Sequence, residues 1–229
     1  MLPNIEVDNN ILCICPKMQI GLIRANVINC PTSDDLWSII THTEQEILNT
    51  YLLPDINKRP AIAGTRVLYK QLGKDPNRYR VASEALCRRV VRKLGLYRIN
   101  TLVDLINLIS MKSGYPISGL DADKIIGDTL ILGIGRHEED FHGIGRGLLN
   151  IEGLPIYRDE MGGIATPTSD EERTKITCDT TTVQININAF APEMPLTQTM
   201  EWCIDLMKRF AKASDIEQYI FTPDNFDNK

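Results

Sequence analysis

The sequence predicts an α+β fold in which helices pack against a mixed or antiparallel β-sheet. Three observations predict it. Successive stretches between Ser33 and Met111 repeat apolar residues at helical spacing. From Thr129 onward, short apolar runs alternate with Gly-rich turns. Beyond those runs, one strand of strict alternation is followed by one long amphipathic helix.

Residues 19–28 (QIGLIRANVI) form the first predicted strand. Ser33 opens a helix, with Asp34 and Asp35 at the positive end of its dipole. Leu36, Ile39, Ile40, Ile47, Leu48 and Tyr51 keep helical spacing, and Pro54 stops the run. Pro60 starts a second helix that Gly73 ends, and residues 74–77 turn the chain. A third helix covers 81–94, with Leu86, Val90 and Leu94 as its core stripe. A fourth covers 102–111, where Asp104 and Asn107 stand three apart and share a face. Strands are predicted at 129–134, 155–159, 164–166 and 181–190. In the last, Val183, Ile185 and Ile187 point one way and Gln184, Asn186 and Asn188 the other. A helix over 196–212 closes the fold. We expect one domain over 1–222 and a disordered tail over 223–229.

Composition bounds the function. The 229 residues are 43% hydrophobic and 24% charged, the balance of a globular protein. No apolar run approaches the roughly 20 residues of a membrane helix, so no membrane partner is expected. The start MLPNIEVDNN has neither a basic flank nor an apolar stretch, so no secretory signal is expected. Six cysteines show no Cys-x-x-Cys pair and no disulfide framework, which favours a cytoplasmic location. Cys13-x-Cys15 reads better as buried strand cysteines than as ligands.

His137-Glu-Glu-Asp-Phe-His142 invites a metal reading, but its spacing fits no helical zinc motif. A Gly-rich hairpin with solvated polar residues is the preferred reading, and no metal or cofactor is expected. The net charge of −5 argues against indiscriminate coating of nucleic acid. Yet seven basic residues crowd between Arg78 and Arg98, with Glu84 as the one acid. Arg78, Arg80, Arg88 and Arg89 are candidates for RNA phosphate contacts; a solvated face paired with acids is the alternative. Some of these arginines are equally placed to pair with Asp104, Asp121 or Asp123 inside the fold.

The stretch 77–128 resembles a known family. It carries Asn100, Val103-Asp104, Asn107, Gly114-Tyr115-Pro116 and Asp121 in order. Met161-Gly162-Gly163 and Arg173-Thr174-Lys175-Ile176-Thr177 continue the pattern. Together these resemble the B3/B4 module of the phenylalanyl-tRNA synthetase β subunit, and more closely its stand-alone relatives. The matching blocks run over about 60–190, most of the chain. The resemblance implies a B3/B4-like domain with its two parts interleaved. In the synthetase the module hydrolyses tyrosine wrongly esterified to phenylalanine tRNA. It therefore implies a protein facing tRNA or aminoacyl-tRNA and cleaving mischarged esters in trans, with no DNA partner. A non-catalytic RNA-binding module and a small-ligand binder without RNA are the alternatives.

Under that resemblance Asn107 matches the helix Asn of the editing pocket. Gly162 and Gly163 match a turn that lets substrate approach the backbone, with an ordinary hairpin turn as the alternative. Two positions depart from the synthetase pattern. Ser118 stands where the synthetase has His, and Asn186 where it has Glu. Asn107, Ser118 and Asn186 are thus the candidate catalytic set, without the family's own base or anchor. Arg173 and Lys175 are expected to point into one cleft, holding a phosphate or a carboxylate, and with Gly162 and Gly163 they are the candidate substrate-pocket residues; surface salt bridging of Arg173 and Lys175 is the alternative.

Overall fold

The computed structural model describes residues 1–223. Its elements run β1 (Asn4–Val7), α1 (Asn9–Ile14), β2 (Gln19–Asn26), α2 (Asp34–Thr50), α3 (Pro60–Gln71), α4 (Ala82–Val91) and α5 (Thr101–Ser113). There follow β3 (Ile117–Asp121), β4 (Thr129–Ile134), β5 (His142–Gly143), β6 (Gly147–Leu148), β7 (Pro155–Arg158) and β8 (Gly163–Ala165). The chain ends with β9 (Thr182–Ala189), α6 (Leu196–Ala211) and β10 (Ser214–Phe221). The fold is α+β, with helices packed against mixed and antiparallel sheets.

Local chemistry accounts for the helix ends. The Ser33 hydroxyl accepts from the Leu36 amide at 3.3 Å, with Asp34 and Asp35 in the first turn of α2. Pro60 occupies the first turn of α3. The Asn100 side chain accepts from the Val103 amide at 3.0 Å, and α5 ends on Gly114 at a φ of 78°.

Two four-stranded sheets stack face to face. One has the order β1-β4-β7-β8 and is mixed, because β1 runs parallel to β4. The other has the order β10-β2-β9-β3 and is antiparallel throughout. The second sheet has two different faces. Ile23, Ala25, Val183, Ile185 and Ile187 pack with α2, α5 and α6. Ile20, Leu22, Leu120 and Phe221 pack with Ile5, Leu130, Leu132, Tyr157 and Ile164 of the first sheet. Burying one such aliphatic side chain contributes about 1.5–3 kcal/mol. At Gly21 an added Cβ would stand 2.7 Å from Met200 Sδ, so glycine lets α6 lie close on β2.

The polar side of β9 is not a solvent face. Gln184, Asn186 and Asn188 lie in the layer between the sheets, each at most 1% exposed. Gln184 Nε2 donates to Asn186 Oδ1 at 2.8 Å, Asn188 Nδ2 to the Pro116 carbonyl at 3.2 Å, and Tyr157 OH to Asn188 Oδ1 at 2.6 Å. Alternation marked the two faces correctly; period two does not say which face meets water when a second sheet covers it.

The chain also differs from expectation at its edges. There are two stacked sheets where one was expected, and β1, α1, β3 and β10 join the predicted elements. Residues 224–229 of the expected loose tail lie outside the described residues.

Candidate functional site

A cavity of about 310 Å³ lies beside β3, between α5, the start of α4 and the segment 166–176. Val103, Ile106 and Asn107 come to it from α5, Ile117 and Gly119 from β3, and Ala82 from the first turn of α4. Ile99, Ile144, Thr166, Ser169, Asp170, Lys175 and Ile176 complete the wall. Most of this lining is aliphatic. Gly119 is required on the floor: an added Cβ would stand 2.4 Å from Ile106 Cδ1 and 3.0 Å from Ile176 Cδ1.

Asp170 supplies the carboxyl of this cavity. A tight turn presents it, in which Thr166 Oγ1 accepts from the amides of Thr168 and Ser169 at 3.2 and 3.0 Å. The Asp170 carbonyl accepts from the Ile144 amide at 3.0 Å, which ties the β5–β6 hairpin to the turn. Because β3 is the edge strand of its sheet, the carboxyl reaches the Gly119 amide at 3.2 Å and the Ser118 hydroxyl. Burial pushes the Asp170 pKa up to about 7, against these two hydrogen bonds, which favour the ionised form. The group therefore exchanges its proton near neutrality. Thr166 and Ser169 spend their hydroxyls within the turn, and Lys175 Nζ donates to Glu172 at 2.6 Å. Asn107 faces the cavity as well, and the Asp170 carboxyl, although it accepts from Gly119 and Ser118, keeps acceptor capacity toward it.

The expected site residues divide. Asn107 and Lys175 line the cavity. Ser118 does not line it; it is 2% exposed and touches the site through Asp170. Asn186, its register partner on β9, is sealed in the layer between the sheets and has no place on the wall. Neither side chain, expected as a catalytic group, thus lines this cavity. Their strand alternation turns them away from the face carrying Ile117 and Gly119.

Gly162, Gly163 and Arg173 likewise do not line this cavity. Gly162, at a φ of 149°, belongs to the turn between β7 and β8. Asp159 holds that turn, accepting from the amides of Met161 and Gly162 at 3.0 and 3.1 Å. Gly163 is packed under Ile156 and Phe141. Arg173 forms a bidentate pair with Asp159 at 3.0 and 2.9 Å, so its charge is committed to the turn.

The basic run is partly structural. Glu84 is buried on α4, and Arg66 meets it at 2.8 Å while Arg80 and Arg88 approach at 3.6 Å. Arg89 donates to the Gly95 carbonyl at the end of its helix and stacks over Tyr97, 4.1 Å from the ring centroid. Arg78 is exposed beside Tyr79. Asp121 pairs with Lys124 rather than with an arginine of the run, and Asp104 accepts from the Ile99 amide and the Thr32 hydroxyl.

Asp170 was not anticipated from the sequence. Thr-Pro-Thr-Ser-Asp reads as an ordinary polar turn, and only the fold carries it back across 51 residues to Gly119. Its nearness to the Arg173–Thr177 block was the available signal.

A family model described as B3/4 domain matches residues 64–220. A phenylalanine–tRNA ligase beta subunit from Fusobacterium nucleatum is 30% identical over 105 residues, which are 45% of this chain and 13% of that protein. The chain thus spans a small part of that relative. A crystal structure of an N-terminal fragment of the phenylalanyl-tRNA synthetase beta subunit from Pyrococcus horikoshii aligns with 95% of this chain and 53% of that one. The identity there is 13% and the TM-score 0.48.

Proposed function

The chain belongs to the B3/4 domain family, and from that premise we propose that it is a tRNA-associated editing protein that hydrolyses mischarged aminoacyl-tRNA in trans. One observation carries this reading: Asp170 and Asn107 face one mainly aliphatic cavity of about 310 Å³. That volume is at the low end for ligand pockets, suited to an amino acid rather than to a whole nucleotide.

The ester of an aminoacyl-tRNA is already activated, so the site has little chemistry to supply. Water attacks the ester carbon and passes its proton to the vicinal ribose hydroxyl of the substrate, while ionised Asp170 holds the substrate's ammonium. The Asn107 amide donates to the oxyanion that forms. Collapse breaks the ester bond, and the departing ribose hydroxyl recovers the proton. Burial alone pushes the Asp170 pKa up to about 7, and the substrate's ammonium beside it favours the ionised form at neutral pH. Ser118 acts through Asp170. Ala82 lines the cavity from the same helix that carries Arg88 and Arg89. Arg78 and Arg89, outside the Glu84 cluster, are the groups we assign to RNA phosphates, while Arg80 and Arg88 face Glu84.

A second reading has its own support. The pairing of Arg66, Arg80 and Arg88 with Glu84 favours a small-ligand binder that uses the cavity without RNA. Titration with bulk tRNA across a salt series separates the two, since phosphate contacts weaken steeply with salt. Binding at low salt that fades with added salt supports the RNA reading; no binding at low salt removes it. Deacylation of a panel of mischarged tRNAs then tests the chemistry. Release no faster than in buffer for every ester sinks the enzyme.

A further inference from the structure

The geometry points to an aliphatic amino acid as the group this cavity takes, its ammonium on Asp170 and its hydrocarbon side chain against the isoleucine wall. The inference rests on the reading of the cavity as an aminoacyl site and narrows it to one substrate class.

Two features of the wall carry it. The first is the distribution of polar groups. Thr166 and Ser169 hydroxyls are spent inside their turn, and the Lys175 ammonium is paired with Glu172. What remains is one carboxyl and one amide, Asp170 and Asn107. Those two match the α-amino and carbonyl groups common to every aminoacyl ester. Few polar groups then remain for a hydroxyl at the far end of the ligand, and a buried phenol without a partner costs about 1–3 kcal/mol.

The second feature is the shape of the hydrocarbon wall. Val103, Ile106, Ile117, Ile144 and Ile176 are all β-branched and stiff, with no aromatic ring among the lining residues. The ends of Ile106 and Ile176 lie over Gly119, where an added Cβ would meet them at 2.4 and 3.0 Å, so the floor too is hydrocarbon. A branched aliphatic chain meets this wall with hydrocarbon at every contact.

Charge agrees with the placement. Asp170 is pushed toward its neutral form by burial, and an ammonium beside it restores the ionised form. Lys175 does not oppose that ammonium strongly, because its own charge is met by Glu172.

The test uses stable amides in place of esters, followed by 1H–15N NMR titration of the full chain. The ligands are leucinamide, tyrosinamide and 4-methylpentanamide, which is leucinamide without its amine. We expect leucinamide to bind at least tenfold tighter than either of the others, with shifts at Gly119 and Asp170. In Asp170→Asn the advantage over 4-methylpentanamide should vanish while that over tyrosinamide persists. Tyrosinamide binding as well as leucinamide overturns the aliphatic assignment and leaves the aminoacyl reading standing. An equal affinity for 4-methylpentanamide in the unaltered protein overturns the role of Asp170. Binding by none of the three removes the aminoacyl reading itself. The comparison among ligands on the unaltered chain does not depend on any variant folding.

Discussion

Ser118 and Asn186 are register partners on β3 and β9, and their side chains share the sealed side of that sheet. Only one of them communicates with the cavity. Ser118 stands on the edge strand, where its hydroxyl meets the Asp170 carboxyl that curls in from the turn after β8. Asn186 stands one strand further in, joined to Gln184 in a row of buried amides. Ser118 is therefore a positioning residue, and its effect passes through the proton affinity of Asp170.

Removing that hydroxyl should move a pH profile more than a rate maximum. The hydrogen bond favours ionised Asp170, so Ser118→Ala should raise the carboxyl pKa above its present value of about 7 by something on the order of one unit. The other charged group at the cavity is Lys175, held by Glu172. The rising limb of deacylation against pH should shift alkaline, and Ser118→Thr, which keeps the hydroxyl, should restore it. An unshifted limb with a lowered plateau would show that Ser118 serves packing alone.

Asp170 should also leave a mark on stability. Its folded pKa of about 7 lies above the ordinary 3.8. Below about pH 4 both states hold the proton, and the group contributes nothing. As pH rises from there to about 7, the unfolded chain gives up the proton first, so the folded state loses ground. Above about 7 the loss is complete. Asp170→Asn should thus melt with the unaltered protein at pH 4 and several degrees higher at pH 8. The gap corresponds to roughly 1–3 kcal/mol once contact of the half-buried carboxyl with solvent is allowed for. Equal melting at both pH values would place the carboxyl in water.

Much of the fold was legible because its signals are local. Ser33 and Pro60 mark helix starts by hydrogen bonds or ring geometry within a few residues. The helical stripes of α2 and α6 and the alternation of β9 needed no knowledge of neighbours. What was not legible depends on distance along the chain. β3 is five residues of Ile-Ser-Gly-Leu-Asp with no strong strand preference, and pairing with β9 sets it in place. The burial of Gln184 and Asn188 depends on a second sheet built largely from other parts of the chain. Asn107 was accessible through a family pattern, whereas Asp170 belongs to the site only because a turn brings it to the edge of β3.

The arginines around Glu84 give a prediction about stability rather than binding. Glu84 Oε2 meets Arg66 at 2.8 Å, and Oε1 lies 3.6 Å from both Arg80 and Arg88, one helical turn to either side. Glu84→Gln keeps the shape and removes the charge, which leaves half-buried guanidinium groups facing one another. We expect a loss of about 2–4 kcal/mol in urea unfolding. A loss under about 0.5 kcal/mol would mean that these arginines are free for an RNA partner.

Asp159 should be equally sensitive, with its own pH signature. Burial works against its charge, but Arg173 and the amides of Ile126 and Met161 hold its pKa below the ordinary range. A depressed carboxylate stabilises the fold above the unfolded pKa of 3.8 and loses that contribution as pH falls further. Asp159→Asn should cost about 2–4 kcal/mol at pH 7, and the difference from the unaltered chain should narrow below about pH 4. A gap that stays constant into acid would assign the cost to turn geometry alone.

Asn107 separates the enzyme from the binder. It is half-buried on α5, and its side chain reaches the cavity rather than the core formed by Leu105, Leu108 and Ile109. Truncation there removes no core hydrocarbon, so Asn107→Ala should change stability by less than about 0.5 kcal/mol. If the amide meets the oxyanion, its loss falls on the transition state and lowers kcat by roughly 100-fold with little change in KM. If it meets the ground-state carbonyl, KM rises and kcat stays. If the cavity only binds, the variant weakens leucinamide in the NMR titration while no ester is cleaved by either protein. Single-turnover deacylation read beside that titration distinguishes the three, because each moves a different quantity while the melting temperature stays in place.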